Sequence, residues 1–173
     1  MKLTPLTRKF VLHWGEMGTR WGINRTVAQV HALLFISPKP LQAEEIVAIL
    51  SVARSNVSTS LKELQNWGLV KVVHVLGDRR DHFETHKDVW ALFQIILQER
   101  KRREIDPTVA LLREAAADTK TQGKADDYAR EQLAKMLEFF ESTTACYDNL
   151  GKLSPSALGK LAKMGGKVGA LLR

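Results

Sequence analysis

Apolar residues recur every three or four positions along most of this chain, and β-branched residues crowd together in only one stretch, Leu69–Val75. Helices therefore dominate the expected fold. Thr4-Pro5 marks a helix start, with proline in the first turn where its missing N–H costs nothing, and Phe10, Val11 and Trp14 carry that helix to about Met17. Gly15, Gly18 and Gly22 are then expected to loosen the backbone before Asn24 caps a second helix bearing Val27, Val30, Leu33 and Leu34. Ser37-Pro38-Lys39-Pro40 ends it.

Shorter elements follow. Gln42 to Leu50 places Ile46, Ile49 and Leu50 on one side of a helix, and after a break at Ser51-Val52 the stretch Arg54 to Trp67 aligns Val57, Leu61 and Leu64 in one stripe. Gly68 stands where a left-handed helix cap is wanted. Leu69–Val75 reads as a strand, Gly77-Asp78 as a turn, and His82–Thr85 as the returning strand of a hairpin. Val89, Trp90, Phe93, Ile96 and Leu97 resume helical spacing up to Arg100-Lys101-Arg102-Arg103. Asp106-Pro107 is expected to interrupt, and a short Ala/Leu-rich helix then leads to a turn at Thr121-Gln122-Gly123. The longest expected helix, Asp126 to Asn149, carries Leu133, Leu137, Phe140, Thr144 and Tyr147 at alternating spacings of four and three. Pro155 to Leu172 has helical periodicity but holds four glycines, so its helix is weak alone.

Helix, short helix, turn, polar-faced helix, strand, turn and strand, in that order, make a winged helix-turn-helix. The expected fold is mainly α with a small β-hairpin wing. Residues 1–103 form the winged domain with its N-terminal helices, and residues 104–173 a helical dimerisation or regulatory extension.

The polar face of Arg54–Trp67 gives this order a function. At about 100° per residue, Ser55, Thr59, Lys62 and Asn66 lie opposite the apolar stripe, with Ser58 on the flank. Small hydroxyls let a helix axis approach base edges closely, while Arg54 and Lys62 suit phosphates or guanine. A merely solvated face is the bland alternative, but such a face usually carries Glu/Lys pairs rather than poor helix formers. In the wing, Gly77-Asp78-Arg79-Arg80-Asp81 sets two arginines at an expected hairpin tip, where they could enter an electronegative minor groove with Asp78 or Asp81 orienting a guanidinium. The alternative is a surface turn whose charges pair with one another.

Charge agrees with a polyanionic partner. The net charge is +7, and it is unevenly spread. Residues 1–40 carry six Lys/Arg against one acid, residues 104–150 five against ten, and residues 151–173 five against none. An apolar fraction of 45% without a long uncharged run argues against a membrane span. No secretion signal is evident, so a cytoplasmic protein is expected. The single cysteine, Cys146, excludes an internal disulfide; a small buried hydrophobe on a helix is its ordinary reading and redox sensing the alternative.

Ala53-Arg54-Ser55-Asn56-Val57-Ser58, Leu61-Lys62-Glu63-Leu64, Trp67-Gly68-Leu69-Val70 and Gly77-Asp78-Arg79-Arg80-Asp81-His82-Phe83 together resemble the GbsR branch of the MarR family of bacterial regulators. The likeness runs from Trp14-Gly15 and Trp21-Gly22-Ile23-Asn24-Arg25 to Trp90, and covers the helical tail only in general character. It implies a dimer with interlocking terminal helices, two recognition helices reading DNA half-sites, and wings reaching the minor groove. By motif, Ser55, Asn56 and Ser58 fall on the family's recognition helix, and Asp78 with Arg80 on its Asp-x-Arg wing. Glu84-Thr85 replaces the usual Leu-Thr after the wing.

A sequence-specific regulator of transcription binding double-stranded DNA is thus expected, as a dimeric repressor at a palindromic or near-palindromic operator and under a small-molecule effector. The apolar stripe of Leu133, Leu137, Phe140 and Tyr147 would form the dimer interface, with packing inside the monomer as the alternative. His13, Trp14, Trp21 and His31 could line an effector pocket, where tryptophans would hold a cation such as choline; ordinary core packing competes for each of them. No cofactor or metal is expected: His74, His82 and His86 make no convincing ligand set, and G-x-x-x-x-G-K-[ST] and H-E-x-x-H are absent from the sequence. The rival is a winged helix that serves as a protein-interaction or RNA-binding module without sequence-specific DNA readout.

Overall fold

The computed structural model describes residues 2–117 and 124–171. The expected turn at Thr121-Gln122-Gly123 lies outside them. The chain divides into two compact units, Met1–Leu92 and Phe93–Arg173, with the division inside one helix.

In the first unit, α1 (Pro5–Arg20) and α2 (Arg25–Ile36) form an antiparallel pair. Both caps follow from local chemistry: Oγ1 of Thr4 accepts from the N–H of Thr7 at 3.3 Å, and Oδ1 of Asn24 from that of Thr26 at 2.8 Å. Gly15 and Gly18 do not loosen α1; both lie buried inside it. A Cβ on Gly15 would sit 2.6 Å from Cγ of Gln29, and one on Gly18 would overlap the Cβ of Ala28. These glycines let two helix backbones approach closely, so α1 runs a full turn beyond its expected end.

Gln42 does not begin a helix. With Leu41 it forms the two-residue strand β1, and α3 covers Ala43–Leu50. Ser51 turns the chain in the left-handed region at φ 54°, and α4 follows over Arg54–Asn66. The end of α4 is closed as its sequence suggests. Gly68, at φ 71°, adopts a conformation that would strain a side chain, and lets its own N–H reach Gln65 O at 2.9 Å and that of Leu69 reach Leu64 O at 2.9 Å.

Strands β2 (Val70–Val75) and β3 (Asp78–Thr85) make the hairpin, and β1 adds to the other edge of β3, giving the antiparallel order β1-β3-β2. The core of the unit is built from Val30, Leu33 and Leu34 of α2, Leu41 of β1, Ile46 of α3, and Val57, Leu61 and Leu64 of α4, all nearly inaccessible. The stripe read from the sequence is therefore the face of α4 that packs inward.

The second unit is helical. Helix α5 (Val89–Arg100) passes into wide turns over Lys101–Ile105, and α6 (Asp106–Ala117) follows directly. Asp106-Pro107 does not interrupt. The N–H of Asp106 reaches back to Lys101 O, and the widened turn keeps the chain helical although Pro107 has no N–H to give. The basic run meets acids: Arg100 pairs with Glu104 at 3.0 Å, Arg102 and Arg103 with Glu99, and Lys101 with Asp106 at 2.9 Å and Asp148 at 3.5 Å. Helix α7 (Lys124–Lys152) packs on α6, with Arg113 bonding Glu141 at 2.9 Å, and α8 covers Pro155–Leu171. Leu133, Leu137, Phe140 and Tyr147 are half-buried on α7, whereas Tyr128, Met136 and Phe139 are exposed. Cys146 is exposed rather than buried, because it lies off the packed stripe of α7. No helix among the described residues is long and apolar enough to cross a membrane.

Candidate nucleic-acid interface

Helix α4 presents Arg54, Ser55, Asn56, Ser58, Thr59 and Lys62 to solvent while Val57, Leu61 and Leu64 are buried. Ser60, also buried, completes the inner face. The outward face is thus small and polar along three turns, and its N-terminal end carries the positive end of the helix dipole. Arg54 is partly engaged: its guanidinium meets Glu44, in the first turn of α3, at 3.0 Å.

The wing differs from its expected form. Val75 pairs with Asp78, so Leu76 and Gly77 alone make the tip, and Leu76 is fully exposed. Arg79 and Arg80 belong to β3. Val73 pairs with His82 and Val75 with Asp78, so Arg79-Arg80-Asp81 of β3 stand opposite the single residue His74 of β2. Such a bulge re-aims side chains, and both arginines are exposed on it.

Asp78, not Asp81, holds the guanidinium of Arg80. Nε of Arg80 donates to Oδ1 at 2.8 Å, Nη2 to Oδ2 at 2.6 Å, and the backbone N–H of Arg80 to Oδ1 at 3.0 Å. These bonds keep the Asp78 carboxyl ionised far below the usual carboxylate range. Arg80 in turn is held more firmly protonated by Asp78, with smaller contributions from Glu44 and Glu45.

Of the four residues expected to line a pocket, two meet. Trp14 and Trp21 pack edge to face with ring centres 5.7 Å apart, and the ring of Phe10 lies tilted against Trp14 with centres 5.5 Å apart. Trp21 is half exposed and His13 exposed, whereas His31 is buried and bonds Thr85. Its environment pushes the His31 pKa down to about 4, through burial first and the nearby Lys87 charge second. Lys87 had no visible signal in the sequence. Its Nζ donates to the carbonyls of Leu34 at 2.6 Å, Phe35 at 2.9 Å and Ser37 at 2.8 Å, closing the C-terminal end of α2 from a distant part of the chain. No group of three His, Cys, Asp or Glu among the described residues is placed to hold a metal ion.

A sequence model described as MarR family matches residues 21–81, from the end of α1 through the wing. The HTH-type transcriptional repressor GbsR of Bacillus subtilis (strain 168) is 25% identical over 139 residues, 79% of this chain and 77% of that protein. The chain thus resembles the GbsR/MarR winged-helix regulators. It is a DNA-binding regulator of transcription and not an enzyme. A solved structure described as that of a transcriptional regulator shares the regulator's fold with a TM-score of 0.57 at 20% identity, covering 84% of this chain and 99% of its own. The match at residues 21–81 holds both α4 and the Asp78-Arg80 clasp, so the family likeness and the polar geometry fall on the same segment.

Proposed function

We propose that this regulator binds a palindromic or near-palindromic operator as a homodimer, in the cytoplasm, and represses transcription under the control of a small-molecule effector. Residues 1–103 would contact DNA and residues 104–173 would supply the dimer contacts, with Leu133, Leu137, Phe140 and Tyr147 of α7 as their centre. The observation that carries this reading is the solvent-facing row of Arg54, Ser55, Asn56, Ser58, Thr59 and Lys62 over a buried stripe.

Each part has a physical role. The hydroxyls of α4 enter the major groove, Lys62 and Arg54 neutralise phosphates, and Arg79 and Arg80 with Asp78 reach the adjoining minor groove. Two such units need a two-fold axis, which a homodimer provides. Repression is favoured because a dimer on a promoter needs no further surface to exclude polymerase, and the Bacillus subtilis relative is itself named a repressor. An effector would lie against Trp14 and Trp21, beside His13; the edge-to-face ring pair suits a ligand cation. His31, buried and bonded to Thr85, is not among the groups that would touch it.

The test is selection of bound fragments from the host genome followed by mapping against promoters. A short near-palindromic site with salt-dependent binding supports the reading. Equal binding to all duplexes, unchanged by Ser58→Ala and Arg80→Ala, would instead favour a protein- or RNA-interaction module.

A further inference from the structure

Gln42 and His82 lie beneath the wing, and neither has a part in the readings above. Both are more than nine-tenths buried, and they face each other across the β1-β3 pairing. Nε2 of Gln42 donates to Oδ2 of Asp78 at 2.9 Å and lies 3.0 Å from Nε2 of His82. Nδ1 of His82 lies 3.0 Å from the carbonyl of Arg80. A carbonyl can only accept, so Nδ1 carries the proton and donates to it. Nε2 is then the acceptor, and one amide group of Gln42 serves both Asp78 and His82. We propose that Gln42 and His82 are positioning residues that hold the Arg80 guanidinium in its DNA-contacting orientation, a role that rests on Arg80 being a DNA contact.

The need for such a pair follows from exposure. Arg80 and Asp78 alone form an ion pair at the surface, and an exposed pair of this kind is weak and free to swing as a unit. A fourth donor, itself buried and from outside the wing hairpin, fixes the plane of the carboxylate, and the carboxylate fixes the fork of the guanidinium. His82 acts from the other end, on the backbone of Arg80 itself. Gln42 is anchored in turn: its main-chain N–H donates to Glu45 Oε2 at 2.9 Å in the first turn of α3, which packs on α4. The arginine of the wing and the reading face of α4 thereby share one reference, α3.

The experiment measures the dissociation constant for a selected duplex over a range of KCl concentrations, for wild type, Gln42→Leu, Arg80→Ala and the double variant. Arg80→Ala is expected to weaken binding about tenfold and to lower the salt slope by about one. Gln42→Leu is expected to give a loss of about three- to tenfold, that of an ordinary hydrogen bond, because it acts through Arg80 and cannot exceed the effect of removing it. The double variant should then equal Arg80→Ala alone. A readout without DNA accompanies it: solvent exchange of the Arg80 Nε–H, slow in wild type, should speed up in Gln42→Leu. If Gln42→Leu does not fold, His82→Phe, which keeps a buried ring but loses both nitrogens, takes its place in the same cycle. A wild-type affinity and Nε–H exchange in these variants, or losses that add fully to that of Arg80→Ala, overturn the proposal. An Arg80→Ala variant that binds as wild type would instead sink the wing contact itself.

Discussion

Nε2 of His31, in the middle of α2, lies 3.2 Å from Oγ1 of Thr85, the last residue of β3, and that hydroxyl donates onward to Leu69 O at 2.6 Å. Because the hydroxyl proton is committed to Leu69, the imidazole must be the donor to Thr85. One neutral tautomer thus joins the helical layer to the end of β3 and to Leu69, the residue that leads into β2, inside the core.

Acid should loosen this joint. The folded pKa of His31, about 4, lies below the ordinary value of 6.5, so between these pH values the unfolded chain binds the extra proton. The contribution to stability is complete above pH 6.5 and is lost as pH falls toward 4. Urea midpoints at pH 7, 6, 5 and 4.5 should fall for wild type and fall less for His31→Gln, which keeps a donor without the titration. Parallel pH profiles for the two proteins would contradict the assignment.

Replacing Lys87 tests the remote closure of α2. Lys87→Met keeps the aliphatic stem but leaves three carbonyls without their shared donor. Because the ammonium is partly solvated and water can replace some of its bonds, the expected loss is about 1 kcal/mol rather than the sum of three charged hydrogen bonds. Equilibrium unfolding in urea measures it, and His31 in the same variant should titrate higher because a neighbouring positive charge is gone.

At the α1-α2 contact, Gly18→Ala should destabilise the protein by about 1–2 kcal/mol, since overpacking outweighs the gain in helix propensity. The overlapping atom is the Cβ of Ala28, so Ala28→Gly should rescue part of the loss in the double variant. Thermal unfolding of the four proteins gives the coupling; simple additivity would mean the helices adjust freely.

If Arg54 contacts DNA as proposed, Glu44, which holds its guanidinium at 3.0 Å, competes for it. Removing its charge in Glu44→Gln should release the arginine and tighten binding to the selected duplex about two- to fivefold at low salt, with the gain shrinking as KCl rises. Weaker binding in this variant would show that Glu44 orients Arg54 for its contact instead of withholding it.

Much of the winged domain was legible because its signals are local. The caps at Thr4 and Asn24 and the close at Gly68 depend on residues within one turn, and the Val57-Leu61-Leu64 stripe on a period that only a helix satisfies. The positions of Arg79 and Arg80 were not legible to the same degree. A tip was expected from Gly77-Asp78, but the bulge opposite His74 depends on how β3 registers against β2, which no local pattern states. Asp106-Pro107 misled in a similar way, since a neighbouring wide turn absorbed the proline.

The amino-acid sequence by itself determined which residues α4 hides and which it shows, because periodicity sorts side chains by face before any partner is present. It left the partner of Arg80 open between Asp78 and Asp81, both within two residues of it, and the structure chose Asp78. Only the tertiary structure decided that Gly15 and Gly18 are contact points, that His31 is held neutral beside Thr85, that Lys87 closes α2, and that Gln42 reaches Asp78. Each of these joins residues ten or more positions apart, where the meeting of two residues is set by the packing of whole elements and not by the chain between them.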